Sequence, residues 1–148
     1  MPSDVSRSCT LALRDGVGDQ IASVFTAEGY SDADERVWAK SARSDTSYPY
    51  AVYNVREQPS ILMGNKDDDP VRGIVTINVY GQDDVTTDEL GGAIQETLVD
   101  ESNKPTVTGF RVVWHDLLFN EPLDDVRPDA QNIYGRVMEI EYHLDPTS

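Results

Sequence analysis

Two histidines, one cysteine and three runs of aspartate are the residues of this sequence with the chemistry for a catalytic or metal site. A histidine can act as a general base, with a serine or cysteine beside it as nucleophile. His115 and His143 fall in segments patterned as β-strands, and neither has a serine or cysteine near it in sequence. Histidines in that setting read as surface or hydrogen-bonded residues. Cys9 and two distant histidines do not supply the clustered ligands of a zinc site, and a single cysteine forms no internal disulfide. The aspartates Asp67 to Asp69, Asp83 and Asp84, and Asp124 and Asp125 lie in turn-rich stretches. A calcium loop needs oxygen ligands at alternating positions, a glycine turn and a closing glutamate. None of the three runs has that register, so solvated acidic loops are expected. Two glycine patterns could suggest phosphate binding. Asp15-Gly16-Val17-Gly18 follows no strand and has no third glycine, and Gly64-Asn65-Lys66-Asp67 lacks both the lead glycine and the hydroxyl. The sequence thus predicts no catalytic, cofactor-binding or metal-ligating residue.

The elements that would carry these residues centre on residues 71–101. Val71, Val75, Ile77 and Val79 alternate with Arg72, Thr76, Asn78 and Tyr80, the period of a half-buried strand. The period then becomes helical, with Leu90, Ala93, Ile94, Thr97 and Leu98 on one face. Thr86 and Glu89 have capping-box spacing, which predicts a helix start near Thr87. Gly91 and Gly92 each cost that helix about 1 kcal/mol relative to alanine, which suggests close approach to the sheet or to a neighbouring subunit. Upstream, Leu13, Val17, Ile21, Val24 and Phe25 give a helix over residues 10–28, stopped by Gly29 and preceded by a loose segment 1–9. Short strands are predicted at 36–39 and 51–56.

Downstream, residues 107–119 read as a strand with Phe110, Val112 and Trp114 on one face and Arg111, Val113 and His115 on the other. Residues 132–144 close the sheet, with Tyr134, Met138, Ile140, Tyr142 and Leu144 on one face. Arg136, Glu139, Glu141 and His143 suit a solvated or partner-facing side. Residues 145–148 form a tail. The order α-β-β-β-α-β-β indicates a single α+β domain, a mostly antiparallel sheet with both helices packed on one face. Long connections remain at 57–70 and 119–132. Ile61, Leu62 and Met63 form an apolar cluster within the first. It fits either burial against the chain's own core or docking on a neighbouring subunit. With Leu117, Leu118 and Phe119 it makes the candidate subunit interface.

Charge is the strongest compositional signal: the formal net charge is −15, from 27 Asp and Glu against 12 Lys and Arg. A chain of this sign repels nucleic-acid phosphates, so sequence-specific DNA binding is not expected. Aspartate excess with scarce lysine fits salt adaptation, in which screening relieves self-repulsion. No run approaches a membrane span, and MPSDVSRSCT has no apolar signal region, so a soluble, unexported chain is expected.

Four stretches together resemble the tail terminator (tail completion, head–tail joining) proteins of long-tailed double-stranded DNA viruses. They are GDQIASVFTAEG closing the first helix, Tyr48-Pro49-Tyr50-Ala51-Val52-Tyr53 leading a strand, RGIVTINVYGQDDVTTDELGGAIQETLVD, and GRVMEIEYHL. The resemblance spans about Leu11 to Leu144. It implies a non-enzymatic virion protein, commonly a ring of six subunits, that caps the tail tube and meets the head–tail connector or stopper. Genome DNA passes through the lumen of such a ring. The family has no fixed catalytic residues, so none carries over. Acidity and a long 119–132 loop depart from typical members, and a virus of a halophilic archaeon, assembled in host cytoplasm, accounts for the first. A head–tail adaptor or stopper is the nearer alternative. A small enzyme or ligand-binding domain using His115, Asp116 or His143 is the more distant one. If salt adaptation is the reason for the charge, thermal unfolding shifts upward between low and molar KCl. An unchanged melting temperature rejects it.

Overall fold

A computed structural model describes residues 2–42, 46–59, 71–100, 102–122 and 133–146. Side chains are described from residue 11 onward, except those of residues 57–59, 71 and 146. The order is α1 (Pro2–Ala27), a 3-10 turn (Ala33–Glu35), β1 (Val37–Ala39), β2 (Tyr50–Pro59), β3 (Val71–Gly81), α2 (Asp84–Val99), β4 (Phe110–Pro122) and β5 (Tyr134–Pro146). The expected α+β class and element order are present.

Apolar spacing builds α1. Leu13, Val17, Ile21, Val24 and Phe25 recur at helical intervals and all are buried. Gly29, at φ 100°, ends the helix. Its N–H donates to Thr26 O and that of Tyr30 to Phe25 O, the paired bonds of a Schellman stop. The Phe25 and Tyr30 rings meet at 5.8 Å across this turn, which supplies the motif's apolar contact. The helix begins at Pro2, well before the expected Thr10. Residues 2–9 have no apolar stripe to mark them, while a proline suits the first helical position because its missing N–H has no helical partner there.

The start of α2 also differs from the expected capping box. Asp83 is the N-cap and accepts hydrogen bonds from Val85 N and Thr86 N. Thr86 Oγ1 donates to the same carboxylate at 2.7 Å. These bonds, the Thr86 hydroxyl first, hold the Asp83 carboxyl below its ordinary pKa. An ionised carboxylate is a stronger acceptor than a threonine hydroxyl, so the helix starts three residues earlier, at Asp84.

The sheet order is β1-β2-β3-β5-β4. Only β1 runs parallel to its neighbour β2; the β2–β3, β3–β5 and β5–β4 pairs are antiparallel. Strand β3 is therefore central, with β2 and β5 paired along nearly its whole length. Since β3 and β4 both oppose β5, they are parallel to each other, and α2 is the crossover such a pair requires. Both helices cover one face. There Leu13, Val17, Ile21, Leu90, Ile94 and Leu98 pack in one core with Val75, Ile77 and Val79 of β3 and Met138, Ile140, Tyr142 and Leu144 of β5.

Strands β2, β4 and β5 extend past their expected ends. The connections shrink to 60–70 and 123–132, both outside the described residues, as is the Ile61–Met63 cluster.

The two α2 glycines differ. A Cβ on Gly91 would stand 3.0 Å from Arg136 Cδ, whereas one on Gly92 would meet nothing within 4 Å. Close approach therefore explains Gly91 and not Gly92. Gly92→Ala should stabilise the protein by about 0.5–1 kcal/mol in chemical denaturation. Gly91→Ala should gain less, because the Arg136 side chain must shift. Equal gains would contradict this packing.

Candidate functional site

The sheet face opposite the helices carries the polar members of the strands. Arg72, Ile74, Thr76, Asn78 and Tyr80 of β3 stand beside Val137, Glu139, Glu141 and His143 of β5 in the antiparallel register. Charged pairs link neighbouring strands across it. Thr76 Oγ1 donates to Glu139 Oε2 at 3.1 Å, and Arg56 Nη2 lies 3.7 Å from Glu139 Oε1. Arg72 pairs with Glu141, whose Oε1 is also 3.2 Å from His143 Nε2. The Trp114 indole meets the His143 ring edge-on, with centroids 4.7 Å apart. At the other end, the rings of Tyr48, Tyr50 and Tyr80 follow one another with centroid spacings of 5.2 Å. Glu141 and Ile74 are buried although they lie on this face. Elsewhere the face is half-buried to exposed, a mixed polar and aromatic surface.

Beside it lies the edge strand β4, which exposes four large apolar side chains: Val113 (47%), Trp114 (43%), Leu118 (44%) and Phe119 (37%). Two irregularities put them there. The register with β5 slips between Val112 and Trp114 and again between Leu117 and Phe119, so Val113 and Leu118 are extra residues. Each slip moves the following residues to the opposite face. The expected alternation is therefore corrected past Val112: Trp114 turns outward and His115 turns into the core. His115 is buried, its Nδ1 lies 2.8 Å from Leu98 O, and its ring stacks on Tyr142. Tyr142 is fully buried, and desolvation pushes its phenol pKa well above the ordinary value. His115 is thus a core residue that ties β4 to the end of α2. Of the predicted interface trio on this strand, Leu117 packs against the core while Leu118 and Phe119 point outward.

Arg136 is a second correction. It lies on the helix side, not with Glu139, Glu141 and His143. Its Nε donates to Asn120 Oδ1 at 3.0 Å and its Nη1 to Asp88 Oδ1 at 3.0 Å. Asn120 in turn donates to Gln95 Oε1 at 2.6 Å. This network anchors α2 to the far end of β4 and β5. Asp116, weighed with the histidines for chemistry, is exposed on β4. His115 and His143 face opposite sides of the sheet, so no shared site assembles from the three.

A cavity of 390 Å³ opens between α1, the 3-10 turn and β2. Tyr53 reaches it from the sheet, and burial pushes its phenol pKa up. Arg14 offsets this, and the carboxylates Asp15 and Asp19 add to it. In the sequence, Asp15 to Gly18 reads only as an incomplete phosphate motif. The relevant signal was the Asp15 and Asp19 pair, one helical turn apart.

No protein-family model matches the sequence, and no curated protein matches it. Solved structures do match its fold. A chain of the virion of a native gene transfer agent particle aligns over 93% of this chain and 97% of its own, with TM-score 0.66 and 14% identity. A second solved chain aligns over 93% and 96%, with TM-score 0.62 and 15% identity. The bacteriophage SPP1 gp17 protein aligns over 94% of both chains with TM-score 0.49 and 16% identity, a score too low to support an argument. At such identities the likeness is one of fold.

The β4 geometry gives a direct expectation. Trp114→Ser with Phe119→Ser should change unfolding free energy little, about 0.5 kcal/mol per site, and, if copies of this chain associate through this edge, weaken that association at least tenfold by sedimentation. Ile140→Ala, in the core, should instead cost about 2–5 kcal/mol. A double variant that self-associates as the parent does removes β4 from the interface.

Proposed function

We propose that this chain is a structural virion protein of the neck or tail, forming the ring that ends the tail tube and joins it to the head connector or stopper. The observation that carries the reading is the end-to-end fold likeness to a chain of an assembled gene transfer agent virion, at TM-score 0.66 over nearly all of both chains. The fold likeness supports a virion protein, and the sequence resemblance to tail terminators supplies the narrower role at the end of the tail tube. The surfaces suit the task. A closed ring needs two different patches on each subunit. The exposed apolar edge of β4 is one candidate, and the Ile61 to Met63 segment is kept as the other. Six copies is the number the family resemblance supplies. A net charge of −15 suits a lumen through which DNA moves without adhering, and equally a protein adapted to high salt, as in a virus of a halophilic archaeon. The role asks for no catalysis, and the histidines are engaged in packing: His115 on Leu98 and Tyr142, His143 with Glu141 and Trp114.

Electron cryomicroscopy of purified particles tests this. A ring of this chain is expected between the tail tube and the connector. Density for it only in the capsid shell, or a position within the connector itself, overturns the terminator role. Native mass spectrometry in high salt then gives the copy number directly.

A further inference from the structure

We propose that β4 pairs antiparallel with β4 of a second copy of this chain, about a two-fold axis at Asp116. Strand β4 is the last in the sheet order, so one of its edges has no partner strand among the described residues. That edge offers free peptide groups. The Leu117 N–H donates to the neighbouring carboxylate, Asp116 Oδ1, at 2.9 Å, and so points away from β5. Peptide groups alternate between the two edges of a strand, so those of His115 face the same way as those of Leu117. A thirteen-residue edge of this kind is a template for another strand. Exposed apolar side chains alone would not say which strand.

The residues of β4 select it, because they are self-complementary about Asp116. With the two Asp116 residues opposite each other, His115 meets Leu117 of the second copy, Trp114 meets Leu118, Val113 meets Phe119 and Arg111 meets Glu121. The faces agree. Arg111, Asp116 and Glu121 stand opposite Asp145, Glu141 and Val137 of β5, all on the open side of the sheet. His115 and Leu117 both turn toward the core. The register also survives the two slips, since the extra residues Val113 and Leu118 fall opposite the exposed rings of Phe119 and Trp114. His115 and Leu117, with peptide groups outward, can exchange both bonds of a hydrogen-bonded antiparallel pair. The four exposed apolar side chains of each copy are then covered together. The Arg111 side chain, 71% exposed and 3.4 Å from Asp145, gains Glu121 as a second carboxylate. Asp116 limits the strength. Like charges directly opposite oppose pairing, and its carboxylate occupies the Leu117 N–H that the second strand needs. The pair is therefore reversible. Two copies complete it, unlike a ring built from two different patches, and it does not rest on the neck reading.

Equilibrium sedimentation of the full chain at fixed ionic strength, with oxidative cross-linking of cysteine variants, tests the pairing. A monomer–dimer equilibrium is expected. Asp116→Asn should tighten it by about threefold, and Arg111→Glu should weaken it by about fivefold. Adding Glu121→Arg to Arg111→Glu should restore it. Opposite residues of such a pair have Cα atoms about 4.5 Å apart, within reach of a disulfide. In a Cys9→Ser background, Asp116→Cys should therefore cross-link to itself, while Glu96→Cys, at an exposed position on α2, should not. Melting temperatures within a few degrees of the parent establish that the variants are folded. A chain that stays monomeric at every concentration overturns the proposal. So does a charge swap that fails to restore pairing, or an assembly in which Asp116→Cys does not cross-link to itself. These outcomes concern the free chain, so they leave the position of the chain in a particle to be decided separately.

Discussion

Burial of two helical stripes against one face of β3 and β5 is the constraint on which the rest of this structure depends. Val75, Ile77 and Val79 on one strand and Met138, Ile140, Tyr142 and Leu144 on the next are fully excluded from solvent. The helices meet them with Leu13, Val17, Ile21, Leu90, Ile94 and Leu98. At about 1.5–3 kcal/mol for each fully buried large aliphatic side chain, this layer is the dominant favourable term. Surface charge pairs such as Arg56 with Glu139 add about 0–1 kcal/mol each. The helix layer also fixes topology. Because α2 must cross from β3 to the parallel strand β4, a place is left between them, and β5 fills it. The last strand to be made thus lies next to the central one.

With one face committed to the core, the other face and the β4 edge are left uncovered among the described residues. Edge strands present unpaired backbone groups, and soluble proteins usually blunt them with charge, bulges or short length. The β1 edge is three residues long, which is one such device. Strand β4 has thirteen residues and two register slips, yet carries four exposed large apolar side chains. The slips do two jobs at once. They bring His115 inward to the α2 carboxyl end and turn Trp114 and Phe119 outward. The inner bond stabilises the monomer. The outer residues stabilise it little and leave an apolar edge open to solvent.

Charge divides along the same layers. Arg56, Arg72 and Arg111 lie on the sheet's open side, each near a carboxylate of β5. The helix layer has Asp15, Asp19, Asp34, Asp84, Glu89 and Glu96 exposed. Positive and negative groups therefore interleave on the open face, while the helical side is mainly negative. A subunit so arranged can associate through its sheet side without bringing its most acidic surface against a copy of itself, since like charges in contact oppose association.

The α+β class, the element order and nearly every core position were legible in the sequence, because period-2 and period-3.6 apolar patterns report directly which side of an element meets the core. The Gly29 stop was equally local. Three features differ from the expectation. The Asp83 cap prevailed over the Thr86 and Glu89 pair because a carboxylate accepts more strongly than a hydroxyl. Arg136 follows the period of β5 in step with Met138 and Ile140, so the expectation that grouped it with Glu139, Glu141 and His143 ran against the alternation itself, and Asp88 and Asn120 pair with it on the helix side. The faces of β4 were inverted by bulges, although the doubled apolar residues Val112-Val113 and Leu117-Leu118 mark where the alternation breaks. By itself, then, the sequence determined which segments become helix and strand and which of their residues are apolar enough to share a core. Only the tertiary structure decided which side of β4 faces outward, whether His115 is core or surface, and that Tyr53 meets Asp15, Asp19 and Asp34 at one cavity. Those outcomes depend on strand register and on contacts between residues far apart in the chain, which no local pattern encodes.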